Sequence, residues 1–116
     1  MNGPDISKYG VVIPSKTNSD ILGIVEKPTF DNAPSNLASI GRYILTPEIF
    51  SILSELNEGI NGEIQLADAL NVLAASGKWG SVPFKGKRSN CGEIDGFINA
   101  NNHAYSLIKS YTVSQD

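Results

Sequence analysis

Cysteine, histidine, tryptophan and methionine each occur once in the 116 residues. The lone Cys91 excludes an intrachain disulfide and any zinc site built on several thiolates. The lone His103 has no Ser-His-Asp or Cys-His arrangement around it, so no nucleophile–base pair can be assembled. His103 reads as an ordinary surface or half-buried residue of a helix, and Cys91 as a small buried core residue. Basic residues are also scarce: nine Lys and Arg against twelve Asp and Glu leave a formal charge of −3. No general cationic field exists for a nucleic-acid backbone, and no nucleic-acid partner is expected. No apolar run approaches the roughly 20 residues of a membrane-spanning helix. The opening residues Met1–Asp5 lack the charged and apolar regions of a secretion signal, so a cytoplasmic setting is expected. Neither G-x-G-x-x-G nor G-x-x-x-x-G-K-[ST] occurs, which removes the standard phosphate-cradling loops.

What remains is a globular composition, 41% apolar and 18% charged, too apolar for disorder. One domain over residues 1–116 fits this length. Tyr9 to Ile13, closed by Pro14, and Ile21 to Lys27, closed by Pro28, carry β-branched strand character. A polar turn, residues 16–20, separates them, and Leu37 to Leu45 is predicted as a third strand. Thr46-Pro47-Glu48 combines a capping residue, a first-turn proline and an acid, a helix start. Ile49, Ile52, Leu53 and Leu56 follow at helical spacing. A second helix is predicted from about Glu63, with Leu66, Ala69, Leu70 and Leu73 inward and Gly77 ending it. Trp79 to Phe84 alternates like a half-buried strand. After Gly92 a last helix places Ile94, Phe97, Ile98, Ala104, Tyr105 and Ile108 on one broad apolar face. The expected order, β-β-β-α-α-β-α, is an α/β layer arrangement with a mixed sheet and packed helices.

Two clusters carry chemistry. Lys85-Gly86-Lys87-Arg88 holds three of the nine cationic side chains and reads either as a solvated turn or as a phosphate contact. Glu26-Lys27-Pro28 closes a predicted strand, where ligand crevices of α/β sheets open. There a Glu can accept hydrogen bonds from paired hydroxyls while the Lys presents a point charge to a phosphate. A plain surface strand end is the competing reading.

Several segments taken in order bear on that choice: Ser7-Lys8-Tyr9-Gly10-Val11-Val12, Ile24-Val25-Glu26-Lys27-Pro28, Ala33-Pro34-Ser35-Asn36-Leu37-Ala38, Gly41-Arg42-Tyr43-Ile44-Leu45 and Gly62-Glu63-Ile64-Gln65-Leu66-Ala67-Asp68-Ala69. They resemble the C-terminal half of the bacterial UTP–glucose-1-phosphate uridylyltransferases, or UDP-glucose pyrophosphorylases, of the sugar nucleotidyltransferase family. Gly86 to Gly92 and the following helix continue the resemblance, which spans about residues 5–108. It implies a Rossmann-like nucleotidyltransferase fold and transfer of a uridylyl group to glucose 1-phosphate with release of pyrophosphate. It also implies that the backbone at Gly10 approaches the sugar, that Glu26 holds its hydroxyls and that Lys27 holds its phosphate. Gln65 and Asp68 match a patterned helix start to which a structural or subunit-contact role is given.

The resemblance also marks departures. The family's N-terminal half, with its glycine-rich nucleotide loop and one magnesium-binding Asp, has no counterpart here. Asn90 stands where the family carries a second magnesium-ligating Asp, and Asn offers a hard cation only one neutral oxygen. These departures imply a partial fold with no cofactor of its own, no catalytic residue, and no activity when alone. Glucose 1-phosphate or UDP-glucose would be bound weakly at Gly10, Glu26 and Lys27. The alternative is a non-catalytic interaction or folding module from a truncated reading frame. A sheet left uncovered in this way would expose Val11, Ile13, Ile24, Val25, Ile40 and Ile44, and a homo-oligomer is the expected remedy.

Overall fold

The computed structural model describes residues 4–59 and 62–114. They fall into two compact units, Met1–Val82 and Pro83–Asp116.

The first unit begins with a short 3-10 turn, Pro4–Lys8, whose Ile6 is buried. Strand β1 (Gly10–Pro14) pairs antiparallel with strand β2 (Ile21–Glu26), in the register Gly10 opposite Glu26, Val11 opposite Val25 and Val12 opposite Ile24. The polar turn between them is closed by Ser15 N–H donating to the Asp20 carbonyl, and Asn18 Oδ1 accepts from Asp20 N–H. Asn and Asp turns of this kind supply their own main-chain partners.

The predicted third strand, Leu37 to Leu45, does not form as one. A single bridge, Val11 to Ala38, joins it to the sheet, supported by Val12 N–H to the Leu37 carbonyl and Ser39 N–H to the Gly10 carbonyl. Gly41 then takes φ 74°, and its N–H turns to the Ser39 hydroxyl at 3.5 Å and not to a strand partner. Trp79 to Phe84 is likewise reduced to one bridge, Asp20 to Gly80, after which Val82 and Phe84 are exposed. Alternation alone could not show that only one residue of each segment meets a partner strand. The sheet among the described residues therefore has two strands, not a larger mixed set.

Helix α1 (Glu48–Glu55) starts at the Thr-Pro-Glu signal, but no side chain caps it. The Thr46 carbonyl accepts from Ile49 N–H instead. Helix α2 (Leu66–Ala75) begins three residues later than predicted and leaves Leu66 exposed. Its C-terminus closes as the glycine at 77 foretold. Gly77 sits at φ 70°, its N–H reaching the Ala74 carbonyl and the Lys78 N–H the Leu73 carbonyl. This double closure satisfies carbonyls that a helix end leaves orphaned. Ile49 of α1 and Ala69, Leu70 and Leu73 of α2 form one core cluster, with Tyr43, Leu45 and Trp79 packed against it, and Val11, Val12, Ile21 and Ile24 of the strands are buried as well. Leu70 is fully enclosed, worth about 1.5–3 kcal/mol relative to exposure.

The second unit carries helix α3 (Ile94–Val113). Its position matches the prediction, but its burial does not. None of its described residues is buried, and Ile94, Phe97, Ile98, Ala104, Tyr105 and Ile108 are all exposed. Cys91, expected in a core, is exposed as well, because the segment before α3 is loop. No helix among the described residues is long and apolar enough to cross a membrane.

Candidate functional site

Gly10, Glu26 and Lys27 come together because the β1–β2 register puts Gly10 directly opposite Glu26. In an antiparallel pair such partners share one face of the sheet. The Glu26 carboxylate occupies the space a side chain at position 10 would need. A Cβ built on Gly10 would lie 3.0 Å from Glu26 Oε2 and 2.8 Å from Ile24 Cδ1. The missing Cβ thus makes room for Ile24 and the exposed Glu26 to lie over Gly10, which is itself buried.

Lys27 is the one non-glycine residue with positive φ among the described residues, at 45°. A left-handed conformation costs a side-chain-bearing residue about 1–2 kcal/mol. It is held by the main chain: Lys27 N–H donates to the Tyr9 carbonyl at 3.0 Å, extending the ladder one residue past β2. Pro28, buried, follows at once and carries the chain off the sheet. Glu26 and Lys27 are both exposed at this strand end. An acceptor of hydroxyl protons and a cation are therefore neighbours at this exposed strand end, while Gly10 beneath Glu26 is buried rather than open to a ligand. Strained backbone of this kind concentrates at ligand sites.

A residue that pattern reading passed over anchors the arrangement. The side chain of Asn71, on α2, accepts from Ile24 N–H at 2.7 Å and donates to the Ile24 carbonyl at 3.2 Å. Val12 and Ile24 are opposite partners whose main-chain groups turn outward, so each strand has an edge to satisfy. Residues 37–39 satisfy β1, and the Asn71 amide satisfies β2 in the manner of a third strand. Its signal in the sequence was one polar residue between Leu70 and Leu73 on the buried face of a helix. These contacts also correct the expected exposure: Val11 and Ile24 are buried, whereas Val25, Ile40 and Ile44 are exposed.

Gln65 and Asp68 stand at the start of α2, where Asp68 N–H donates to the Gln65 carbonyl and Gln65 Nε2 to Glu63 Oε2. Asn90 lies in the second unit, in the loop before α3. Its Oδ1 accepts from Gly92 N–H at 3.2 Å, so the one oxygen suited to a cation already serves the turn. No cluster of three or more His, Cys, Asp or Glu side chains able to hold a metal occurs among the described residues. The donors present do not fit the magnesium that the resemblance implies.

With this geometry in view, the comparisons with known proteins place the chain. The nucleotidyl transferase pattern matches residues 2–106, and the chain belongs to the nucleotidyl transferase family. Within that class it is similar to a UTP–glucose-1-phosphate uridylyltransferase of Pseudomonas aeruginosa, 46% identical over 104 residues, covering 87% of this chain and 37% of that protein. A Mycoplasma pneumoniae protein of the same name is 39% identical over 117 residues, covering 96% and 40%. Among solved structures, a UDP-glucose pyrophosphorylase complexed with UDP-glucose is 48% identical with a TM-score of 0.79, covering 90% of this chain and 41% of that one. The α/β nucleotidyltransferase-like fold follows, with a two-stranded sheet and three α-helices among the described residues. The chain spans about two fifths of the length of the curated relatives it matches.

Proposed function

We propose that this chain is the sugar-phosphate-binding portion of a UTP–glucose-1-phosphate uridylyltransferase, lying toward the C-terminal side of the whole enzyme. The juxtaposition of Gly10, Glu26 and left-handed Lys27 carries the reading. Glu26 accepts hydrogen bonds from sugar hydroxyls, and the missing Cβ of Gly10 gives its carboxylate the room to sit there. Lys27 neutralises the phosphate whose oxygen would attack the α-phosphorus of UTP, expelling pyrophosphate. Kinship to a structure complexed with UDP-glucose supports this ligand class.

The 116-residue chain alone positions only one reactant. Nucleotidyl transfer depends on aligning both partners and neutralising developing charge, and Asn90 is a poor cation ligand. We propose that the chain by itself does not turn over, and that it binds glucose 1-phosphate or UDP-glucose weakly because half the contacts of a full site are missing. Exposed Val25, Ile40 and Ile44 favour association of two copies within the same proposal.

The test is a coupled assay of pyrophosphate release with UTP, glucose 1-phosphate and magnesium. Background rate is expected from the chain alone, and turnover clearly above a blank contradicts the reading.

A further inference from the structure

Helix α3 leaves its apolar side bare. Its half-buried positions, Gly96, Ala100 and His103, share one side of the helix. The loop of the same unit packs there, since a methyl group on Gly96 would overlap the Asn90 carbonyl. The other side carries Ile94, Phe97, Ile98, Tyr105, Ile108 and Tyr111, which recur at the three- and four-residue spacing of one helix face. All six are more than half exposed. A contiguous apolar stripe of this kind marks an interaction surface.

The stripe reads nearly alike from either end. Ile94 and Tyr111, Phe97 and Ile108, and Asn101 and Ala104 are equidistant from a point between residues 102 and 103. An antiparallel copy related by a two-fold axis through that point sets apolar against apolar toward both ends, and Asn101 across from the small Ala104. The charges suit the same pairing. Asp95 opens the helix and Lys109 lies toward its close, both exposed and on the same flank of the stripe. They stand about 21 Å apart along the axis at 1.5 Å per residue, too far to meet within one helix. In the antiparallel pair each comes level with its opposite in the second copy, so two ion pairs form and the helix dipoles oppose. A parallel pair would instead crowd Glu93 and Asp95 of both copies at one end.

Phe97, Tyr105 and Tyr111 of two copies, at about 150–250 Å² per covered ring, bring the area removed from water to the order of 1,000 Å², where specific interfaces begin. A lipid surface is the poorer fit, because helices that lie on membranes are rich in Lys and Arg, and α3 has one Lys and no Arg. We propose that α3 is a self-association surface on which a second copy of this chain pairs antiparallel. Phe97 against Ile108 supplies the apolar anchors, and Asp95 against Lys109 sets the direction. Asn101, whose Nδ2 donates to the Phe97 carbonyl, is the polar residue midway along the stripe. It fixes the register, since a slip sets it against a large apolar side chain instead of Ala104. This surface is additional to Val25, Ile40 and Ile44 and does not depend on the sugar-phosphate reading.

Sedimentation equilibrium of the full chain over a range of concentrations is the test, with far-UV circular dichroism checking that each variant keeps its helices. A monomer–dimer equilibrium is expected. Phe97→Ser should weaken the dimer about a hundredfold or more, because a two-fold pair covers the ring twice. Ile44→Ser, at an exposed position of the first unit, should leave the α3 dimer unchanged. Asp95→Lys and Lys109→Asp should each weaken it about tenfold, and the double variant should recover most of that loss, as antiparallel pairing requires. A constant monomer mass would overturn the proposal, and so would a dimer as tight in Phe97→Ser as in the parent chain. A dimer lost in Ile44→Ser and kept in Phe97→Ser would overturn it as well, and would assign association to the first unit. Charge variants that weaken singly without recovering together would overturn the antiparallel arrangement.

Discussion

Lys27 carries a left-handed conformation that glycine would adopt without cost, so its side chain is retained against stability. Replacing it with glycine separates the two demands. Lys27→Gly should raise unfolding free energy by about 1 kcal/mol while abolishing the phosphate contact, and urea denaturation with a parallel glucose 1-phosphate titration reads both. A drop in stability would show that the lysine stem packs usefully where it stands. Gly10 is constrained from the other direction. Gly10→Ala drives a methyl to 2.8 Å from Ile24 Cδ1, and Ile24 is buried, so little room exists to yield. A loss of about 1–3 kcal/mol is expected from overpacking, along with displacement of the Glu26 carboxylate. Lys27 was singled out from the chain because a strand-ending Glu-Lys-Pro has its own chemistry, and Gly10 only through the family resemblance. The positive φ of Lys27 was not legible, since nothing local demands it and the Tyr9 hydrogen bond that holds it is tertiary.

At the scale of elements, the two strands and three helices were legible where periodicity and breakers agreed. The Gly77 closure of α2 is the clearest case. Leu37 to Leu45 and Trp79 to Phe84 were misread because strand character describes a surface that could pair, not one that does. Of the first segment only residues 37–39 reach β1, and the outer side of β2 is filled by Asn71. That assignment makes Asn71 the link between sheet and helix. Asn71→Leu keeps the volume but strands the Ile24 N–H and carbonyl, and should cost about 2–4 kcal/mol for two unsatisfied part-buried groups. Thermal unfolding measures it. A loss below about 0.5 kcal/mol would mean that water replaces the amide and that the sheet edge is open. The ion pair Lys78–Glu48, at 3.1 Å between exposed side chains, ties the end of α2 to the start of α1 and should contribute under about 1 kcal/mol.

At the scale of the whole molecule, a small core must stabilise an α/β unit whose sheet has two strands among the described residues. Such a unit gains from any partner that covers Val25, Ile40 or Ile44. Light scattering across protein concentrations should therefore show mass rising above 12.4 kDa, and a constant monomer mass would remove association from the account. The exposure of Cys91 and α3 could not be read from apolar pattern, because amphipathicity states what a face would bury against without supplying it. The central claim is that Gly10, Glu26 and Lys27 form a sugar-phosphate site, and an amide-shift titration with glucose 1-phosphate tests it most directly. The account predicts that these three amides shift together and saturably, that Glu26→Ala and Lys27→Gly each abolish the response, and that glucose without phosphate gives a weaker one. Saturable binding that leaves Gly10, Glu26 and Lys27 unmoved, or a response unchanged in both variants, would contradict it.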